Sequence, residues 1–203
     1  MLITHPPRFL HRIYSSLFWT IKDSESSIYI TFDDGPTAHI TEEVLQLLKN
    51  YEAKATFFCL GKNVEENPLL FQSIIEGGHS IGNHSYSHLN GWKTNNSVYL
   101  KDVERCSLVF SSKLYRPPYG KINASQIKKI RKKYKIIMWS ILSRDYDKRV
   151  TKEKCLKLCT YNLKPGSIIV FHDSVKAKEN MLYALKGLLE HAKNNKLTCK
   201  AID

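Results

Sequence analysis

The sequence predicts an α/β protein built on a mainly parallel sheet, either open or closed into a barrel. Three observations carry that reading. Short β-rich runs alternate along the chain with segments of helical periodicity, the pattern that strand–helix–strand crossovers produce. The 203 residues suffice for one domain with a full hydrophobic core. A composition of 42% apolar and 25% charged residues is that of an ordinary soluble globular protein, which excludes disorder and collagen-like structure. A single domain over 1–203 is expected, with 1–24 as an aromatic and basic N-terminal extension.

That extension comes first. "MLITHPPRFLHRIYSSLFWTIK" has neither the uninterrupted apolar core of a signal peptide nor a small-residue cleavage site. No stretch approaches the ~18 apolar residues of a membrane span. The mixture of Arg8, Phe9, Arg12, Tyr14, Phe18 and Trp19 within 8–22 suits a helix lying on a membrane surface or a segment packed against the domain's outside. "SIYITFDD" (27–34) then reads as the first strand, followed by "TEEVLQLLKNY" (41–51), a helix with Thr41 as N-cap and acids in its first turn. "AKATFFCLG" (53–61) is a second strand. "PLLFQSIIEGG" (68–78) is a helix that starts at Pro and stops at Gly. "GHSIGNHS" (78–85) is a third strand, and "NASQIKKIRKKY" (123–134) a helix opening on Asn. "YKIIMWSI" (134–141) reads as one strand, "TKEKCLKLCTYNL" (151–163) as a helix opening on Thr, "GSIIVFHD" (166–173) as the last strand and "NMLYALKGLLEHAKNN" (180–195) as the last helix.

Charge and cysteine content narrow the function. A net charge of +12 admits nucleic acid, an acidic polymer or a membrane surface as partner. The basic residues concentrate at helix-like positions such as "QIKKIRKKYK" (126–135), with only Tyr134 interleaved. That describes a solvated face, and no nucleic-acid partner is expected. Five cysteines in no regular framework argue against a disulfide scaffold and for a reducing compartment, the cytoplasm or its membrane face. Cys155 and Cys159 lack the paired spacing of a zinc ribbon and are expected to be packed helix residues.

A parallel sheet places its ligand site at the carboxyl ends of its strands. Those ends carry Asp33 and Asp34, His84, Ser143 to Asp145, and His172 with Asp173. Neighbouring strand residues point to opposite faces, so Asp33 and Asp34 can share a site only if the chain leaves the strand at Gly35-Pro36. Asp34 would then be a metal ligand and Asp33 a general base for a bound water. The plain alternative is a turn with side chain to backbone hydrogen bonds. His84 and His88 stand four apart in "NHSYSH", which on a helical turn puts both rings on one face. With one carboxylate they form a three-ligand site open to water, suited to Zn²⁺ or a similar first-row ion. In "LYRPPYG" (114–120), Arg116 can pair with a carboxylate in a fork, and the Tyr119 N–H can face an oxyanion. His172 in "FHDS" is suited to protonate a leaving group, with Asp145 as its orienter. A Pro-rich loop and a structural histidine are the plain readings of these two segments.

Taken in chain order, these pieces resemble the polysaccharide deacetylase family, carbohydrate esterase family 4 with its NodB-homology domain. The resemblance spans Ile28 to about Asp173 and implies a distorted (β/α) barrel of about seven strands. It implies Asp33 as catalytic base, and Asp34, His84 and His88 as metal ligands for Zn²⁺, Co²⁺ or another divalent first-row ion. Arg116-Pro117-Pro118-Tyr119 matches the motif whose Arg orients the base and whose Tyr N–H contributes to the oxyanion hole, with Pro118 beside it. Val170-Phe171-His172 matches the motif of the catalytic acid. The fourth motif departs: the family's Asp-x-x-Asp-Trp reads Leu142-Ser143-Arg144-Asp145-Tyr146. Asp145 survives, while Leu142 and Tyr146 alter the pocket wall. The implied activity is metal-dependent removal of acetyl groups from an N-acetylated glycan: a polysaccharide, an oligosaccharide or a lipid-linked sugar. The alternatives are an O-acetyl esterase acting on a glycan such as xylan, and a non-catalytic binder of glycans or anionic polymers.

Overall fold

A computed structural model of the chain describes residues 16–22 and 26–203. Its centre is β1 (Ser27–Asp33), buried at every position, as expected of a strand covered on both faces. Next come α1 (Ile40–Asn50), β2 (Ala55–Cys59), α2 (Gly61–Glu66), α3 (Pro68–Glu76) and β3 (Ser80–Asn83). They are followed by α4 (Asn96–Val109), β4 (Leu114–Tyr115), α5 (Ala124–Ile130), β5 (Lys135–Ile136) and β6 (Ile141–Leu142). The chain ends with α6 (Lys152–Thr160), β7 (Ile168–His172), α7 (Lys178–Asn194) and β8 (Thr198–Cys199). The main sheet runs β5-β4-β3-β2-β1-β7-β6, all parallel, and curls into a distorted (β/α) half-barrel, with β8 beside the start of β1.

Strand alternation sorts the apolar residues into two layers. Ile28, Ile30 and Phe32 of β1 face the helices, where Phe32 stacks between Phe57 and Phe171 at centroid distances of 4.9 and 5.9 Å. Tyr29, Phe58, Leu114, Ile137 and Ile168 fill a separate cluster on the opposite side of those strands. Polar Thr31 and Asp33 share that second face with Tyr29, so the barrel's interior turns from apolar to polar towards the carboxyl end of β1.

Several expectations change in the structure. The run at 134–141 is two edge strands, β5 and β6, rather than one. The gap between the edges is bridged by the N-terminal segment. Phe18 pairs with Ile137 and Thr20 with Ser167, through hydrogen bonds from Phe18 N to the Ile136 carbonyl and from Ile21 N to the Gly166 carbonyl. Leu17 and Trp19 are buried here against Tyr115, Ile136 and their neighbours. Within the expected surface segment 8–22, the part from 16 therefore packs on the domain, and residues 1–15 lie outside the described residues. Thr41 does not cap α1. His39 is the N-cap, without a side-chain hydrogen bond, because the Thr41 hydroxyl is engaged elsewhere. Asn123 and Thr151 do cap their helices, Asn123 in a full capping box with Gln126. Cys155 and Cys159 are buried in the helix-facing core, and all five cysteines are free.

Candidate active site

The aspartate doublet is resolved by one backbone angle. Asp33 is the last residue of β1, in register with His172 of β7, and only 4% exposed. Asp34 has φ 83°, a left-handed conformation that ends the strand and swings its carboxylate back over the same end of the barrel. The two side chains thus reach one site. Burial opposes ionisation of Asp33, but the charges of Arg116, His84 and His172 outweigh it and hold its pKa below the ordinary value. It is a carboxylate at neutral pH.

His84 and His88 converge on Asp34, though not through a helix. β3 ends at Asn83, and 84–88 is a loop in which Ser85 and His88 both have positive φ (67° and 62°). The loop is held by Ser85 N donating to Asn83 Oδ1 and His88 N donating to Ser85 Oγ. The Nε2 atoms of His84 and His88 lie 3.7 and 3.3 Å from Asp34 Oδ1. All three candidate ligand atoms fall within 4.8 Å of one another. His84 Nδ1 sits 2.8 Å from the Arg116 carbonyl, so it donates there and turns Nε2 towards Asp34. Burial, reinforced by His84, lowers the pKa of His88 to about 4, keeping its ring neutral. Asp34 Oδ1 is buried without a hydrogen-bond partner. Two imidazoles and an unpartnered carboxylate oxygen are the donor set a divalent ion requires.

Arg116 is fully buried, and its donors are divided between β1 and the 137–138 segment that follows β5. Nη1 donates to Asp33 Oδ1 and Thr31 Oγ1, both at 2.7 Å, Nε to the Ile137 carbonyl and Nη2 to the Met138 carbonyl. The pairing with Asp33 is therefore a single hydrogen bond, not the expected fork, because the other donors satisfy carbonyls inside the barrel. Pro118 is buried in the following turn. Tyr119 adopts φ 59°, and its ring, 59% exposed, stands edge-on to His88 at 4.4 Å.

On the other side, Asp145 grips His172 twice. Its Oδ1 lies 2.8 Å from His172 Nδ1, and its Oδ2 accepts from His172 N at 2.7 Å. Burial works against a charged ring. The Asp145 carboxylate, with Asp34 and Asp33 beyond it, nevertheless raises the pKa of His172 to about 9. Tyr146 packs edge-on to His172 at 4.9 Å, and with Leu142 and Val170 it lines a cleft of about 390 Å³. The same cleft contains Asp33, Asp34, His84 and His88.

Some residues at the site were not singled out by sequence reasoning. Asp173, fully buried, accepts from Gly35 N at 3.0 Å and from the Thr41 hydroxyl at 2.5 Å. A Cβ on Gly35 would lie 2.0 Å from Asp173 Oδ2, so the glycine makes room for the carboxylate that holds the Asp34 turn. Burial raises the pKa of Asp173 to about 7. Thr31 relays Arg116 to the Ile169 carbonyl, and Trp139 forms cleft wall against Gly120. The only local signals were an acid beside His172 and a tryptophan beside a β-rich run.

Fold and site together define a parallel, distorted (β/α) half-barrel with a cluster of three candidate metal ligands between a carboxylate and an imidazole. The family model for polysaccharide deacetylases matches residues 20–136, and the chain belongs to that family. Two Bacillus cereus proteins named peptidoglycan-N-acetylglucosamine deacetylase are similar to it. One is 35% identical over 74% of this chain and 57% of its own length, the other 32% identical over 86% and 85%. The chain thus spans little more than half of the first. The crystal structure of the Bc1960 peptidoglycan N-acetylglucosamine deacetylase superposes with a TM-score of 0.86 at 30% identity, covering 95% of this chain and 92% of that one.

Proposed function

We infer that the protein is a metal-dependent hydrolase that removes acetyl groups from the nitrogen of an N-acetylated glycan. One observation carries this reading: an ionised Asp33 and a protonated His172 are register partners on adjacent strands, flanking the Asp34-His84-His88 cluster in a single cleft. A hydrolysis that needs both a base and an acid uses that opposition of charge states. The names of the relatives supply the substrate class.

Asp34, His84 and His88 would hold zinc or another first-row divalent ion, which would polarise the acetyl carbonyl and acidify a water. Asp33 Oδ2, left free while Oδ1 is bound to Arg116, takes the water's proton. Arg116 keeps Asp33 ionised and fixes its orientation. The backbone N–H of Tyr119, beside Pro118, donates to the carbonyl oxygen as it gains charge. His172 delivers its proton to the departing nitrogen, because an amine anion is a very poor leaving group, and Asp145 holds the imidazole for that transfer.

The test measures acetate and new primary amine together, on N-acetylglucosamine oligomers, peptidoglycan fragments and acetylated xylan, with chelator-stripped and zinc-restored protein. Equal amounts of acetate and amine, dependent on metal, support the reading. Acetate without amine would make the protein an esterase. Asp33→Asn should lower kcat by about 10²–10⁴-fold with the metal still bound. Unchanged turnover would remove Asp33 from the role of base.

A further inference from the structure

We propose that Lys176 selects substrates in which the acetamido sugar adjoins a carboxylate-bearing sugar, making the preferred substrate an acidic glycan. This rests on the deacetylase reading above. Among the described residues, Lys176 is the only lysine or arginine that lines the cleft. Of the acidic residues at or next to the site, Asp33 pairs with Arg116, Asp145 with His172, and Asp147 with Arg144 and Arg149, while Asp34 faces the two imidazoles as a candidate metal ligand. Its neighbour Lys178 pairs with Glu43, whereas Lys176 makes no ion pair among the described residues.

Its ammonium lies instead 5.6 Å over the ring of Tyr146, the same ring that meets His172 edge-on. One aromatic side chain therefore separates the proton donor from a cation at the rim. A sugar whose nitrogen faces His172 places its next residue over Tyr146, with any carboxylate on that residue within reach of Lys176. A cation already resting on an aromatic face meets an anion with less loss of side-chain freedom. Lys121, next in sequence to the cleft residue Gly120, lies 5.5 Å over the exposed Trp92, and the chain's net charge of +12 adds a field that attracts acidic polymers.

The experiment compares kcat/KM on oligomers of alternating N-acetylglucosamine and N-acetylmuramic acid with free lactyl carboxylates, on the same oligomers with those carboxylates amidated, and on uncharged chitooligosaccharides. In the zinc-loaded enzyme, the acidic-to-amidated ratio should exceed one and fall as salt rises through the range that screens exposed charges. Lys176→Gln should lower that ratio roughly fivefold, the upper range of an exposed ion pair. Lys176→Arg should retain it and Lys176→Glu should invert it. A ratio near one, or one unaffected by Lys176→Gln while acetate is still released from all three substrates, overturns this inference alone. Absence of acetate from every substrate overturns the deacetylase reading as well.

Discussion

Single side chains at the cleft differ mainly in what surrounds them. His172 and His88 are both half-buried imidazoles, yet one is raised to about 9 and the other lowered to about 4. Asp145 grips the first, while the second faces a fellow imidazole. The sign for His172 is that of a raised folded-state pKa: protonation favours the folded form fully below its ordinary 6.5, and the gain is lost as pH rises through the folded value. Part of the rise comes from Asp34, whose charge a bound cation neutralises. In the metal-loaded enzyme kcat should therefore fall as one proton leaves, on a limb between pH 6.5 and 9. Asp145→Asn should move that limb to lower pH, and a pH–kcat profile in which the limb stays put would separate His172 from the acid step. Asp173 acts at one remove, by anchoring Gly35 and Thr41. Asp173→Ala should weaken zinc binding, read by competition with a chromophoric chelator, by about 10–100-fold. Unchanged affinity would show that the turn holds Asp34 unaided.

Elements carry the next level. β1, β2 and β7 were legible because parallel strands buried at nearly every position are near-continuous apolar runs, and α5 and α6 because Asn123 and Thr151 signal their starts. The 14-residue α4 was missed: it begins at Asn95-Asn96 after a Gly- and Asn-containing loop, and its apolar residues do not keep to one face, with Tyr99, Val103 and Cys106 buried but Val98 and Leu108 exposed. The two-residue strands β4, β5, β6 and β8 are too short to show any period and exist only through their neighbours. The segment around Trp19 belongs with them, since its backbone pairs with residues more than 100 positions away. Trp19→Ala should destabilise the protein by about 3 kcal/mol and lower Tm by roughly 6–12 °C. A shift below one degree in a calorimetric scan would mean that closing the seam adds nothing to stability.

At the scale of the whole molecule, an ion held at the site would couple it to the fold. Asp34 Oδ1 is buried without a partner, so the native state carries an unmet acceptor that a cation would satisfy. Zinc at a hundredfold excess over its Kd should stabilise the fold by about 2.7 kcal/mol, or roughly 5–10 °C in Tm, and chelation should reverse the shift. His88→Ala should abolish most of the shift; a variant that keeps all of it would place the stabilising ion elsewhere.

The sequence by itself determined the parallel α/β class, because a two-residue strand period alternating with helical spacing is a local property. It also determined which side chains gather: Asp33, Asp34, His84, His88, Arg116, Asp145 and His172 all fall at strand ends or in the loops that follow them, where a parallel sheet collects its ligands. Tertiary structure alone decided how the donors are used. The φ of Asp34, the division of Arg116 between β1 and the 137–138 segment, the loop that replaces a helical turn at 84–88, and the Asp173 anchor each depend on partners distant in sequence. Local patterns specify which way a segment folds, but the field and hydrogen bonds at a buried atom come from whatever the fold packs against it.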